Sequence, residues 1–286
     1  MKRIIAVILI LLLGLSVISY PSLSNYLAEL NGSRVMQNYD QAVSDKDSSD
    51  LQAEWDAAET YNQNLTGSPV HDPFLEGSGM AMSEDYTSVL DVDGVMGYLE
   101  IPKISVNLPI YHGTSDDVLR KGVGHLEGST LPIGGVSRHA VLTGHSGLVQ
   151  AKLFTDLIRM QIGDMFYIHV LGQTLAYQVD QIKVVEPNDT SDLVRVAGED
   201  YCTLLTCTPY GVNSHRLLVR GTRVDYVPEV KEAIQPEAGS AADHTILTAA
   251  AITSAVMLGL IVVTVVVSRR RSKKKRPEGQ SVTKND

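Results

Sequence analysis

Residues 201–224 read YCTLLTCTPYGVNSHRLLVRGTRV and hold two apolar runs, 201–206 and 217–224, on either side of a turn that contains proline and glycine. Short apolar runs bounded by turn residues predict β-strands. Five more runs of this kind lie upstream, at 97–101, 106–110, 139–143, 165–171 and 176–185. Seven to eight short strands at this density indicate a mainly β domain, either a barrel or a sandwich. Segment 151–159 predicts one short helix within it.

Two apolar segments flank this domain and predict its topology. Residues 4–19 follow Lys2 and Arg3, so 1–20 has the layout of a signal peptide or signal anchor. Residues 246–267 carry no charge and are long enough for a transmembrane helix across a bilayer of about 30 Å. The basic cluster that follows predicts a cytoplasmic tail over 268–286, and a disordered tail or a nucleic-acid patch is the alternative. Residues 21–245 are therefore expected outside the cell.

The charge of the outer part excludes one class of function. The whole chain of 286 residues has a formal net charge of −9, but residues 21–245 hold 14 Lys and Arg against 31 Asp and Glu. An acidic domain lacks the basic patch that nucleic-acid binding requires, so no nucleic-acid partner is expected. Two cysteines are too few for a disulfide-rich scaffold or a cysteine-rich zinc module.

The segments before and after the strands have different compositions. Apolar residues recur at helical spacing between 21 and 64, which predicts two amphipathic N-terminal helices broken near residues 47–49. Turn residues dominate 65–85 and predict a long loop. Proline, glycine and small residues over 229–245 predict a linker before the membrane helix.

The two cysteines are expected to differ in role. Five residues apart on one strand, Cys202 and Cys207 would face opposite ways, roughly 16 Å apart, well beyond disulfide distance. Cys202 lies within an apolar run and is most simply a core residue. Cys207 ends the run, so its thiol is expected at the rim of the sheet, where a substrate has access.

A thiol nucleophile needs an imidazole and a group that stabilises an oxyanion. His145 occupies a turn directly after the run 139–143, which is again a rim position, whereas His215 is a competitor eight residues beyond Cys207. Arg216 begins the next run, and its guanidinium suits a developing oxyanion or a peptide carbonyl. A structural histidine and a surface ion pair are the alternatives for these residues.

Three motifs together resemble a known family. TLLTCTPYG at 203–211, TGH at 143–145 and RLLVRG at 216–221 resemble the sortases, cysteine transpeptidases of Gram-positive bacterial surfaces. The similarity covers about residues 90–225. GVGHLEGS at 122–129, the C-terminal membrane segment and the tripeptide at 72–74 further resemble class C, the pilin-polymerising subgroup.

The resemblance implies an eight-stranded sortase-type barrel over 91–228, preceded by a lid loop over 65–90. It implies that Cys207 is the nucleophile, His145 the proton donor and acceptor, and Arg216 the group that positions substrate and oxyanion. Asp72, Pro73 and Phe74 would form the lid, with Asp72 paired to Arg216 and Phe74 over the thiol; an ordinary exposed turn is the alternative.

The implied function is a cell-membrane transpeptidase, held by its C-terminal helix, that polymerises pili. It would cleave an LPxTG-like sorting signal through a thioacyl-enzyme and form an isopeptide bond to a Lys amine of a pilin subunit. A sortase that anchors single proteins to peptidoglycan and a non-catalytic adhesin are the alternatives. The residues offer no clear ligand cluster, so neither metal nor cofactor is expected.

Overall fold

The computed structural model describes residues 2–65, 71–74 and 82–234, with seven separate positions between 248 and 266. The chain divides into two compact units, one of Met1–Leu23 with Ala242–Asp286 and the other of Ser24–Ala241. The predicted membrane helix 246–267 lies outside the described residues except for those seven positions, and the basic tail 268–286 lies wholly outside them.

Eight strands of the second unit form a closed barrel in the order β1-β2-β3-β4-β7-β8-β6-β5. Pairs β2–β3 and β4–β7 are parallel and the others are antiparallel. The prediction of a mainly β, eight-stranded barrel is confirmed. The strands are β1 (Gly97–Ile101), β2 (Val106–His112), β3 (Val123–His125), β4 (Arg138–Thr143), β5 (Met165–Val170), β6 (Gln173–Val185), β7 (Asp200–Thr208) and β8 (His215–Val224).

The barrel interior is a packed apolar core because alternate residues of each strand point inward. The rings of Phe166 and Tyr177 stack 5.4 Å apart and are fully buried. Gly221 leaves room for them, since a Cβ there would lie 2.6 Å from the Phe166 ring. Burial of this core stabilises the strands whose ends carry the candidate site residues.

Within residues 2–65, 71–74 and 82–234, the α-helices are α1 (Lys2–Ser44), α2 (Ser48–Asn64), α3 (Glu84–Thr87), α4 (Asp116–Leu119) and α5 (Pro228–Ala233). The predicted break between the two N-terminal helices is confirmed at residues 45–47. The N-terminal apolar segment is not separated from the first of them, because α1 continues through Pro21. One proline removes a single backbone hydrogen bond and bends a helix of this length without ending it.

Buried hydrogen bonds attach α1 and α2 to the barrel. The Tyr39 hydroxyl donates to the Met96 carbonyl at 3.2 Å and accepts from the Leu171 amide at 2.8 Å. The Asn62 side chain pairs with both backbone groups of Leu131. These bonds satisfy backbone groups at the barrel surface that would otherwise be buried without partners.

Several local elements differ from the sequence prediction. Helix α3 lies inside the loop predicted over 65–90, of which 66–70 and 75–81 are outside the described residues, and α4 was not predicted. Strand β3 was not among the predicted runs, because three residues are too short for a detectable pattern. The helix predicted at 151–159 is a 3-10 turn over Thr155–Arg159. The first part of the predicted linker is helical, because Pro228 at the first turn of α5 presets the helical φ angle.

Among the described residues, the segment Ile10–Ser44 of α1 is long and apolar enough to cross a membrane. A signal sequence passes the same test of length and composition. The described part of the chain thus holds one candidate span near its N-terminus.

Candidate active site

Three neighbouring strands end or begin at one rim of the barrel. Strand β4 runs parallel to β7, with Thr143 beside Leu205, so both strands finish there. Strand β8 runs antiparallel to β7 and therefore starts at the same rim. The residues that follow β4, end β7 and begin β8 are brought together by this topology, although they are far apart in the sequence.

Cys207 and Arg216 are directly opposite each other in the β7–β8 pair. Opposite residues of an antiparallel pair project to the same face, so the thiol and the guanidinium share a surface. Both are buried, and Cys207 is 8% exposed. Burial raises the pKa of the Cys207 thiol to about 11; Arg216 opposes this shift and Asp72 adds to it. The thiol is therefore protonated near neutral pH in this arrangement.

The His145 loop is hydrogen-bonded to the end of β7. The Thr206 hydroxyl donates to the Gly144 carbonyl at 2.7 Å, and the Ser146 hydroxyl donates to the Cys207 carbonyl at 2.6 Å. These two bonds flank His145 in the chain and hold its backbone beside that of Cys207. The sequence motifs alone did not identify Ser146 as part of the site, because its partner lies 61 residues away.

Two other segments contact the His145 imidazole. The Phe74 ring lies 5.5 Å from it, centroid to centroid, and Oδ1 of Asp116 lies 3.5 Å from Nε2. Burial lowers the pKa of His145, and the Asp116 carboxylate opposes that change. Asp116 was missed by sequence reasoning, since it stands in an ordinary acidic helix start 29 residues before the histidine.

His215, the competing histidine, is not part of this cluster. It precedes Arg216 on β8, so its side chain faces the other side of the sheet. Its Nε2 lies 3.3 Å from Oε1 of Glu186, and its Nδ1 contacts the Ser214 hydroxyl. The imidazole that the fold brings to Cys207 and Arg216 is that of His145.

The segment 71–74 covers the same rim. Asp72 accepts two hydrogen bonds from Arg216, Nε to Oδ1 at 2.8 Å and Nη2 to Oδ2 at 2.7 Å. The Arg216 Cζ lies 5.2 Å from the centre of the Phe74 ring. Pro73 between them fixes its own φ angle and so limits the spacing of the carboxylate and the ring. The three residues thus close over Arg216 and His145.

The second thiol is separate from the site. Cys202 is completely buried in the barrel core, and its burial raises the pKa well above the ordinary value. Both cysteines are free, so the expectation that they form no disulfide is confirmed.

A cavity of about 720 Å³ lies elsewhere, between α2 and the barrel. Its lining includes Trp55, Asp200 and Arg223. Asp200 begins β7 and Arg223 is near the end of β8, so this cavity is at the rim opposite to Cys207. It does not contribute to the candidate site.

A cysteine, a histidine and an arginine at one rim of an eight-stranded barrel define a class of cysteine enzymes. Residues 99–224 match the Sortase domain family. The chain belongs to the sortases, a family of cysteine transpeptidases.

Solved structures of class C sortases are similar to this chain. The Sortase C of Streptococcus pneumoniae is 49% identical, with a TM-score of 0.62, over 68% of this chain and 97% of that one. A pilus-related Sortase C of Group B Streptococcus is 45% identical, with a TM-score of 0.64, over 67% of this chain and 97% of that one.

Among curated proteins, Sortase D of Bacillus subtilis (strain 168) is 34% identical over 131 residues. The match covers 45% of this chain and 63% of that protein, which is less than two thirds of its length.

Proposed function

We propose that this chain is a membrane-anchored class C sortase that joins pilin subunits. It cleaves an LPxTG-like sorting signal through a thioacyl-enzyme and transfers the acyl group to a Lys amine of another subunit. The observation that carries the proposal is the Cys207–Arg216 pair beside His145, closed by residues 72–74. The pilus-related neighbour supports the choice of pilin as substrate.

In the first step, the Cys207 thiolate attacks the Thr carbonyl of the sorting signal. The carbonyl π electrons move to oxygen, and the oxyanion accepts hydrogen bonds from Arg216. Collapse of this intermediate breaks the Thr–Gly amide bond and leaves a thioester on Cys207. His145, as imidazolium, gives its proton to the departing Gly amine.

In the second step, a Lys amine attacks the thioester carbonyl. The now neutral His145 takes the proton of the incoming amine, and the thiolate departs. An isopeptide bond forms, and the thiolate and imidazolium are both restored. Each turnover therefore balances without metal or cofactor, and repetition yields a polymer.

Arg216 is suited to this role by the way its donors are divided. Its Nη1 donates to the carbonyls of Asn213 and His215, which fixes the guanidinium on its own turn. Its Nε and Nη2 donate to Asp72. When Asp72 leaves, two parallel donors of Arg216 become free for a substrate carbonyl. Residues 72–74 therefore act as a lid that must move before the substrate binds.

Membrane attachment completes the proposal. The membrane segment predicted from the sequence over 246–267, with the basic tail in the cytoplasm, would keep the barrel outside the cell, where pilin subunits are exposed. Whether the N-terminal segment is cleaved does not affect this arrangement.

The test is mass spectrometry of the full chain in detergent, incubated with an LPxTG-type peptide, a Lys-bearing pilin domain and a cell-wall amine. The expected products are a thioester adduct on Cys207 and a peptide–pilin isopeptide. Transfer to a cell-wall amine but never to the pilin would favour the peptidoglycan-anchoring alternative. Absence of any adduct, with Cys207 still open to alkylation, would favour a non-catalytic adhesin.

A further inference from the structure

We propose that Asp116 is a positioning residue for His145, which holds the imidazole ring and favours its protonated form. This inference rests on the proposed function for the role of His145. It adds a residue from α4, an element that the motifs of the site do not include.

The Asp116 carboxylate is oriented from two sides. Its Oδ2 accepts a hydrogen bond from Nε of Arg120 at 2.7 Å, four residues later. Its backbone is fixed at the start of α4, where the Ser115 hydroxyl accepts from the Val118 amide. The remaining oxygen, Oδ1, lies 3.5 Å from Nε2 of His145. One carboxylate therefore contacts both the Arg120 guanidinium and the His145 imidazole.

Nε2 of His145 is buried and, within the described residues, makes no hydrogen bond of good geometry. A buried nitrogen in this position benefits from a nearby negative charge most when it carries a proton. The 3.5 Å separation is an ion-pair contact, which a small movement of the exposed Asp116 side chain converts into a hydrogen bond.

The charged and titratable groups near His145 come from four segments, namely α4 with the residue after it, residues 71–74, β7 and β8. Helix α4 supplies Asp116 and also Arg120, whose charge lowers the pKa of His145. Residues 71–74 supply Asp72, which is paired with Arg216 of β8. The Arg216 guanidinium also contacts the Phe74 ring, which in turn contacts His145. Strand β7 supplies Cys207. Asp116 is thus the carboxylate in direct contact with the imidazole among these groups.

The reactive state holds a thiolate and an imidazolium together. Burial raises the pKa of Cys207 and lowers the pKa of His145, so both shifts reduce the population of that state. Between the two pKa values, the population is constant and depends on their difference. A carboxylate that raises the pKa of His145 therefore increases the population of the reactive state, by the factor by which it raises the proton affinity of His145.

Asp116→Asn removes the charge and keeps the shape, and it lowers the pKa of His145. The acid limb of the pH profile should therefore move to lower pH. The plateau above the limb should fall about two- to fivefold, the range for an exposed ion pair. The shift of the acid limb, in pH units, should equal the base-10 logarithm of the factor by which the plateau falls. A merely structural effect would lower the plateau and leave the limb in place.

The experiment uses the full chain in detergent with Cys202→Ala, so that iodoacetamide reports Cys207 alone. Alkylation rates are measured from pH 5 to 12 for the parent, Asp116→Asn, Asp116→Glu and Asp117→Asn. Asp117 is the matched control, because it is an exposed carboxylate of the same helix. In Asp116→Asn we expect a lower plateau together with an acid limb at lower pH. Asp116→Glu should restore the parent profile, and Asp117→Asn should keep it.

Three results would overturn the role of Asp116: a parent profile in Asp116→Asn, an equal shift in Asp117→Asn, or a lower plateau with an unmoved limb. The same series is then repeated for peptide cleavage. Alkylation needs no sorting signal, so the two hypotheses fail separately. If Asp116→Asn shows both changes in alkylation but the parent chain cleaves no LPxTG-type peptide, the proposed function is refuted and the Asp116–His145 coupling is retained.

Discussion

Arg216 and Asp72 form a buried, bidentate ion pair, with Nε–Oδ1 at 2.8 Å and Nη2–Oδ2 at 2.7 Å. Their side chains are 6% and 2% exposed. A planar guanidinium offers this pair of parallel donors to one carboxylate at a time. Asp72 therefore occupies the same donors that a substrate carbonyl would need, which couples the position of the 71–74 segment to the state of the site.

We expect Arg216→Lys to be nearly inactive. Lysine keeps the positive charge but lacks the planar fork, so it cannot donate to the Asn213 carbonyl and to the substrate oxyanion at the same time. Loss of one oxyanion donor typically costs about 100- to 1,000-fold in rate. Peptide cleavage by Arg216→Lys, compared with the parent, measures this, and circular dichroism checks the fold. Near-normal turnover would reduce Arg216 to a structural ion pair.

The two thiols should respond differently to the same substitution. Cys207→Ala should abolish both cleavage and the thioester adduct, because no other thiol lies at the rim. Cys202→Ala should retain most turnover, since Cys202 is a core residue whose side chain is only slightly larger than alanine. Peptide cleavage and intact-mass spectra distinguish them. A folded Cys202→Ala protein without activity would contradict the assignment of the nucleophile.

The pH dependence of Cys207 should change when the lid charge is removed. Burial and the Asp72 carboxylate both raise the pKa of the thiol, to about 11. Asp72→Asn removes the negative charge, so the thiolate forms at lower pH. The midpoint of iodoacetamide labelling against pH should fall below about 11 in this variant. The Asp91→Asn variant, on an exposed turn, is the charge control and should keep the parent midpoint.

The barrel could be predicted from the sequence because its strands obey a local rule. Apolar runs between turns identify seven strands, whereas β3 has three residues and forms only because β2 and β4 pair with it. The turn residues predict a long loop at 65–85, of which the structure describes residue 65, residues 71–74 and residues 82–85, the last two of these in α3. The placement of residues 71–74 over Arg216 was not visible from composition, since it depends on one carboxylate that pairs with a residue 144 positions away.

The residues of the candidate site were likewise predictable from the sequence only in part. Cys207 and His145 were found because each follows an apolar run, and strand ends place side chains at a rim. Arg216 was found as the start of the next run. Asp116 and Ser146 were not found, because their contacts with His145 and the Cys207 carbonyl arise only when distant strands and α4 come together.

The attachment of α1 to the barrel should depend on one hydroxyl. Tyr39→Phe removes both hydrogen bonds of that group and leaves the buried Leu171 amide without an acceptor. An unsatisfied buried donor costs about 1–3 kcal/mol of unfolding free energy. Urea denaturation of the full chain in detergent measures the loss. Tyr98→Phe is the control, because its hydroxyl contacts Asp40 at the surface; an equal loss in both variants would contradict the prediction.

The 71–74 segment should control access to the nucleophile. Phe74 contacts the His145 ring, and Asp72 fixes the segment to Arg216, so either Asp72→Ala or Phe74→Ala should loosen the cover over the rim. The Cys207 thiol is 8% exposed, so a loosened cover over the rim should increase its access to a reagent. We therefore expect faster iodoacetamide labelling of Cys207 in both variants at fixed pH, in a Cys202→Ala background so that one thiol reports. Val136→Ala, an exposed residue before β4 at the opposite rim, should label at the parent rate. Labelling of Asp72→Ala and Phe74→Ala at the parent rate would exclude a lid and leave residues 71–74 as an ordinary turn.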